Sequence, residues 1–162
     1  MKIGVVSDTH NQLSNVARIV ELLNRAGVER VVHTGDITQA KTLEVLARLD
    51  APLCGVFGNN DAGERAALEA AATRYAMTLC DPPLELVWAE RRIVVVHDPR
   101  DLGTAREAMH EVALHGHTHQ RAIERSGGRL VFNPGECAGH VAGQNAVGVL
   151  DLVTLETEIL RF

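Results

Sequence analysis

Seven side chains able to bind a metal ion stand in five short polar signatures: Asp8-Thr9-His10, Gly35-Asp36, Gly58-Asn59-Asn60-Asp61, His97 and Gly116-His117-Thr118-His119. The seven are Asp8, His10, Asp36, Asn59, His97, His117 and His119. Carboxylate and neutral imidazole are the usual ligands of divalent metals. Gathered in one cleft without a cation, two carboxylates and four imidazoles would repel and resist desolvation. Convergence of these groups therefore points to a two-metal hydrolytic site.

The elements that must position them are legible around each signature. Short apolar runs rich in β-branched residues precede them, at residues 3–6, 31–32, 53–57, 93–96 and 112–114. Such runs read as buried parallel strands. In open α/β sheets, ligands bind beyond the carboxyl ends of the strands. The first strand covers about residues 2–7, and a helix with Leu13, Val16, Val20 and Leu23 on one face follows, stopped by Gly27. A second helix is expected from Thr38, with Leu43, Leu46 and Ala47 inward, and a third over residues 62–74. Two successive βαβ units require right-handed crossovers and a parallel sheet.

From Pro82 onward strands follow one another, with turns at Ala89-Glu90 and Ser126-Gly127-Gly128, one more helix over 102–110, and a closing hairpin from Val147. The fold class expected is α/β: two mixed sheets face to face with helices outside, as one domain over residues 1–162. A net charge of −5 argues against general affinity for nucleic acid or anionic membrane. Aromatic residues make up 3%, which leaves little surface for stacking bases. No apolar run reaches the roughly 20 residues of a membrane helix, and none has the length of a signal peptide. Cys54, Cys80 and Cys137 share no C-x-x-C spacing. A cytoplasmic setting is the expectation.

The signatures, with Asn133-Pro134-Gly135-Glu136-Cys137 and the start Met1-Lys2-Ile3-Gly4-Val5-Val6-Ser7-Asp8-Thr9-His10, resemble the calcineurin-like metallophosphoesterases over essentially the whole chain. The likeness is to their short single-domain phosphodiesterase branch. It implies a four-layer α/β/β/α sandwich. It also implies that Asp8, His10 and His119 hold one metal and Asn59, His97 and His117 a second, with Asp36 bridging. Two divalent ions about 3.5–4 Å apart lower the pKa of a shared water and clamp a phosphate for in-line attack. The implied reaction is hydrolysis of a small phosphodiester by a metal-bridging hydroxide. The N/O donor set suits Mn²⁺ first, with Fe, Zn²⁺, Ni²⁺ or Co²⁺ as alternatives.

Two departures touch the proton donor. Many relatives carry a His where this chain has Asn60, which can hydrogen-bond a phosphate oxygen but cannot donate a proton near neutral pH. Relatives commonly continue with Gly-His after the residue matching His97; here Asp98-Pro99-Arg100 follows. Asp98 is a candidate acid if its pKa is raised, or else orients a ligand. Arg100 and Asn133 are candidate substrate contacts, Asn133 also as support for a ligand. His33 reads as a packed, hydrogen-bonded residue, and His115 as facing away from the site. His140 is placed at the pocket border, and Arg65 on a solvated helix face, with a phosphate contact as its alternative role. Competing readings are a phosphomonoesterase and a protein-binding scaffold on the same fold; a nuclease is disfavoured by the charge. No stable nucleic-acid or membrane partner is expected, and a homo-oligomer is admitted.

Overall fold

The structure is a computed structural model that describes residues 1–103 and 110–162. The helix expected over 102–110 lies almost wholly outside the described residues. Eleven strands among those described form two sheets. In the first, β1 (Lys2–Val6), β2 (Arg30–His33), β3 (Leu53–Val56) and β4 (Thr78–Cys80) run parallel, with β10 (Ala146–Asp151) and β11 (Thr157–Arg161) added antiparallel beside β1. In the second, β6 (Arg91–Val95), β7 (Val112–Leu114) and β9 (Arg129–Asn133) are parallel, flanked by antiparallel β5 (Leu84–Trp88) and β8 (Ala122–Ser126).

Helix α1 (Leu13–Ala26) buries Val16, Ile19, Val20 and Leu23, and ends at Gly27 in the left-handed conformation. Helix α2 is shorter than expected. It runs over Ala40–Leu46 and buries Leu43 and Leu46, but Ala47 is its C-terminal cap and faces solvent. The third helical stretch divides into a 3-10 turn, Asn59–Glu64, and α3, Arg65–Arg74. Strand β4 had no distinct sequence signal: three residues, only partly buried, leave too short a pattern. Both expected tight turns are present. Ala89 and Glu90, and likewise Gly127 and Gly128, all have positive φ, which suits two-residue hairpin loops.

Burial explains the layering. The helices cover one face of the first sheet through Val6, Val31, Leu53, Val147 and Val149. Its other face (Ile3, Val5, Val32, Val56, Leu150) meets Ile93, Val95, Val112, Leu114, Leu130 and Phe132 of the second sheet. On the far side of that sheet, Leu102 packs with Val94, Val96 and Ala113. No helix among the described residues is long and apolar enough to cross a membrane.

The two sheets approach closely where Gly148 of β10 faces Phe132 of β9. A methyl group at Gly148 would stand 2.5 Å from Phe132 Cε1 and 3.2 Å from Pro134 Cβ. Gly148→Ala is therefore expected to cost about 1–3 kcal/mol by overpacking. Phe132→Leu in the same chain should recover part of that loss. Equal stability of wild type and Gly148→Ala in denaturant unfolding would contradict this packing.

Candidate metal centre

The signature residues leave their strands on backbone that ordinary residues avoid. Asp8, His10, Asp36, His117 and His119 have φ of 52°, 43°, 59°, 66° and 54°. Each such non-glycine residue costs on the order of 1–3 kcal/mol, and it persists only where its surroundings hold it. Here backbone hydrogen bonds do so across chain segments. The amide of Asp8 donates to the Gly35 carbonyl (3.1 Å), that of His10 to Asp36 (3.0 Å), and that of Gly116 to His97 (3.0 Å). Gly116 also permits close approach: a Cβ there would stand 2.8 Å from both Asp8 Oδ2 and Thr34 Oγ1.

The carboxylate of Asp61, fully buried, accepts from the amides of Gly58 (2.7 Å), Thr38 (2.7 Å) and Asp36 (3.1 Å). It thereby fixes the loops after β2 and β3 together. Burial pushes its pKa upward, against the pull of those amides.

All seven residues singled out by type and spacing lie at one rim. Asp36 Oδ2 is 3.4 Å from His10 Nε2 and 3.4 Å from His97 Nε2. Asn59 Oδ1 sits 2.9 Å from His97 Nε2 and 3.0 Å from His117 Nδ1, and those two ring nitrogens are 3.3 Å apart. His119 Nε2 is 3.6 Å from Asp8 Oδ1. Asp8, His10 and His119 form one group whose donor atoms all lie within 4.8 Å, and Asp8, Asp36 and His97 form another.

Three imidazoles are backed by oxygen on the nitrogen that faces away from the cluster. His97 Nδ1 lies 2.9 Å from the Thr34 carbonyl, which can only accept, so Nδ1 carries the proton and Nε2 is left with a lone pair. His119 Nδ1 lies 3.0 Å from Glu136 Oε2. Burial pushes the Glu136 carboxyl up, but His119 and the backbone amides of Val141 and His140 outweigh it and keep it ionised. His117 Nε2 lies 3.5 Å from Asp98 Oδ2. Such backing is how metal-binding imidazoles are oriented.

The donor set fits divalent ions. His10 Nε2 is buried with no hydrogen-bond partner, although the Asp36 carboxylate is only 3.4 Å away. Donor atoms about 2.0–2.2 Å from one divalent ion face each other in this way without bonding directly. Burial also lowers the pKa of His10, favouring the neutral, ligating form. Burial alone would raise the pKa of Asp36; the His97 imidazole beside it and hydrogen bonds from the amide and side chain of Asn60 hold it below the usual carboxylate range.

Several candidate roles change. Asn133 is fully buried and cannot contact substrate. Its Nδ2 donates to the Gly116 carbonyl and Thr118 Oγ1 (both 3.2 Å), and its Oδ1 accepts from Gly135 N, so it braces the loop carrying His117 and His119. Asp98 lacks the raised pKa an acid would need. Hydrogen bonds from Arg100 outweigh its desolvation and bring it down to about 2. The Arg100 side chain is 82% exposed and directed onto Asp98. Asn60 Nδ2 points inward, 2.7 Å from Asp36 Oδ2.

Other residues fall where their types suggested, or were missed. His33 is fully buried between Thr9 Oγ1 and the Gly35 amide, each 3.1 Å away. His115 is buried too, its Nδ1 3.1 Å from the Gly116 carbonyl. Arg65 stands partly exposed at the start of α3, 3.6 Å over the Phe57 ring and paired with the exposed Asp81 and Glu69 beside the cleft. Glu136 and Asp61 were present in the quoted motifs without a role. Their burial signalled nothing in the sequence, since a lone acidic residue reads as surface.

Comparison with known proteins agrees with this geometry. The family model for the calcineurin-like phosphoesterase superfamily domain matches residues 1–155. A phosphodiesterase of Methanocaldococcus jannaschii is 34% identical over 155 residues, covering 93% of each chain. A solved archaeal phosphodiesterase superposes with a TM-score of 0.91 at 31% identity over 100% of both chains. The phosphoesterase YfcE of E. coli, at 22% identity and a TM-score of 0.74 over 99% of this chain and 98% of its own, shares the fold.

His33 makes acid stability a measurable property of the site's floor. Burial lowers its pKa to about 3, below the 6.5 of the unfolded chain. Between those values the unfolded chain binds the extra proton, so this contribution is whole above pH 6.5 and shrinks as pH falls. At pH 5 the loss is about 2 kcal/mol. His33→Gln should flatten the pH 7.5-to-5 decline in metal-free denaturant unfolding by about that amount. An unchanged slope would contradict a neutral buried His33.

Proposed function

The chain belongs to the calcineurin-like phosphoesterase superfamily and is a metal-dependent phosphoesterase, and on that premise we propose that it is a dinuclear phosphodiesterase acting on a small diester. Asp8, His10 and His119 would hold one ion, Asn59, His97 and His117 the other, and Asp36 both. The observation that carries this reading is the position of Asp36 Oδ2, 3.4 Å from an imidazole nitrogen of each set. A carboxylate has two oxygens and can serve two ions, whereas an imidazole nitrogen or amide oxygen normally serves one.

When bound, two divalent ions would supply a water of lowered pKa and Lewis acidity toward the phosphate. The N/O donors suit Mn²⁺, Fe, Co²⁺, Ni²⁺ or Zn²⁺. With one formal negative charge from each ligand carboxylate, Asp8 and Asp36, such a pair would be left near +2, complementary to a phosphodiester monoanion plus a hydroxide.

The remaining residues of the chain set binding and leaving-group demands. A cleft of about 680 Å³ opens beside Asn59, His97 and His117, walled by Phe57, Ala62 and Pro82. It has the size of a small-molecule site. Asn60, within reach of Asp36, would release that carboxylate and turn its amide to a phosphate oxygen. It can stabilise charge there but supply no proton. Asp98, held ionised by Arg100, is equally unsuited to be the acid. Diesters with good leaving groups, which need little protonation, are therefore favoured over alkyl esters.

Asp36→Asn is expected to lose both ions in metal analysis after loading, and turnover of a chromogenic bis-aryl diester should fall by at least about 100-fold. Asp8→Ala serves as a second inactive control. Wild type with added Mn²⁺ should cleave the diester in preference to the matching monoester. Two retained ions and full turnover in Asp36→Asn would sink the assignment of the bridge.

A further inference from the structure

The imidazole of His117 is held differently from the others, and the residues that hold it are Asp98 and Arg100. His97 and His119 turn Nε2 inward and have Nδ1 backed by oxygen, at 2.9 Å and 3.0 Å. His117 is reversed: Nδ1 faces Asn59 and His97, and Nε2 points out toward the Asp98 carboxylate. That outward nitrogen needs an acceptor to fix the tautomer that leaves Nδ1 with its lone pair.

Asp98 is itself built into place. It caps the 3-10 turn Pro99–Leu102, with Oδ1 accepting from the Arg100 amide at 2.9 Å. Pro99 stands at the start of that turn, and Leu102 anchors its end in the apolar layer on the second sheet. The Arg100 guanidinium grips both Asp98 oxygens, Nε at 3.1 Å and 2.9 Å and Nη2 on Oδ2. Only the Oδ2 edge that Arg100 also touches meets His117, at 3.5 Å. Asp98 is 17% exposed and Arg100 82%. The charge pair thus lies over the imidazole from the solvent side.

The geometry points to a relay in which Arg100 orients Asp98 and Asp98 orients His117, so that the pair sets the affinity of the ion held by His97, His117 and Asn59. Asp98 and Arg100 are positioning residues in this arrangement and contact neither substrate nor metal. The inference rests on the dinuclear reading above. It differs from a phosphate contact by Arg100, which would act on substrate binding and leave metal affinity alone.

Titration calorimetry of the metal-free protein with Mn²⁺ separates these possibilities. Wild type is expected to bind two ions. Asp98→Ala should weaken one of them by about 10–100-fold and leave the other unchanged. Asp98→Asn, whose amide oxygen still accepts from Nε2–H, should recover much of the loss. Arg100→Ala should give a smaller loss at the same ion, with KM for the diester unchanged once Mn²⁺ saturates. The Co²⁺-loaded protein should show a changed visible spectrum for one ion only. The metal-free melting temperature of Arg100→Ala should stay at the wild-type value, since an ion pair with so exposed a guanidinium contributes little to stability. Asp98→Ala should lower it slightly through loss of the turn's cap, and Asp98→Asn, which keeps a capping oxygen, should not.

Unchanged affinities in Asp98→Ala, or equal weakening of both ions, would overturn the relay. A raised KM at saturating metal in Arg100→Ala would overturn it in favour of a phosphate contact. A wild type that binds one ion would overturn the dinuclear reading itself, and with it the assignment of His117 to a second ion.

Discussion

A carboxylate that is 2% exposed, held by hydrogen bonds from Asn60 and faced at 3.4 Å by the nitrogens of two imidazoles, sets the terms for everything around it. Asp36 is that group, and the surrounding architecture follows from it. Burial disfavours its charge, yet Asn60 and His97 hold it ionised. The loop that carries it is pinned by Asp61, whose own burial cost is partly offset by three backbone amides. One negative charge at the centre thus requires a second, hydrogen-bonded one a few residues along the next loop. The fully satisfied carboxylate braces the structure, and the incompletely satisfied one is where a cation belongs.

This explains why strained backbone collects at the rim. Five of the seven converging residues take positive φ, and interstrand amides bind the loops that carry them. The loop glycines act through space as well as conformation. At Gly116 any side chain would collide with Asp8 and Thr34, so the loop bearing His117 and His119 can close onto the end of β1 only without one. Strain and close approach have the same origin: ligands from two different sheets must meet within a few ångströms.

The convergence of the seven residues was legible in the sequence because strand ends are marked strongly, by β-branched runs such as residues 3–6 and 93–96 followed at once by polar residues. The change from alternating strands and helices to a strand-rich half after Pro82 likewise pointed to two sheets. What escaped was anything decided by tertiary contact alone. Asn133 suits two roles by sequence, a substrate contact and support for a ligand; burial leaves only the second, with every polar atom of its side chain used internally. Ala47 continued a helical pattern that the helix itself abandons one residue earlier. Asp98 is a candidate acid by sequence because it follows His97 where relatives carry a proton donor, provided its pKa is raised. Its nearest charge is instead Arg100, two residues away, and the sign of the shift reverses.

That reversal bears on how the active site is organised. A group can donate a proton in the reaction or hold a ligand in its tautomer, and the two tasks need opposite pKa shifts. Glu136 and Asp98 are both shifted downward, and both lie against the outer nitrogen of an imidazole. With Asn60 unable to titrate, the carboxylates and amides at this rim are committed to binding and orientation. On the reading proposed above, departure of the leaving group would then depend on its own basicity. A substrate whose leaving oxygen is already a weak base matches a site arranged in this way, and the open cleft beside His97 and His117 gives it room.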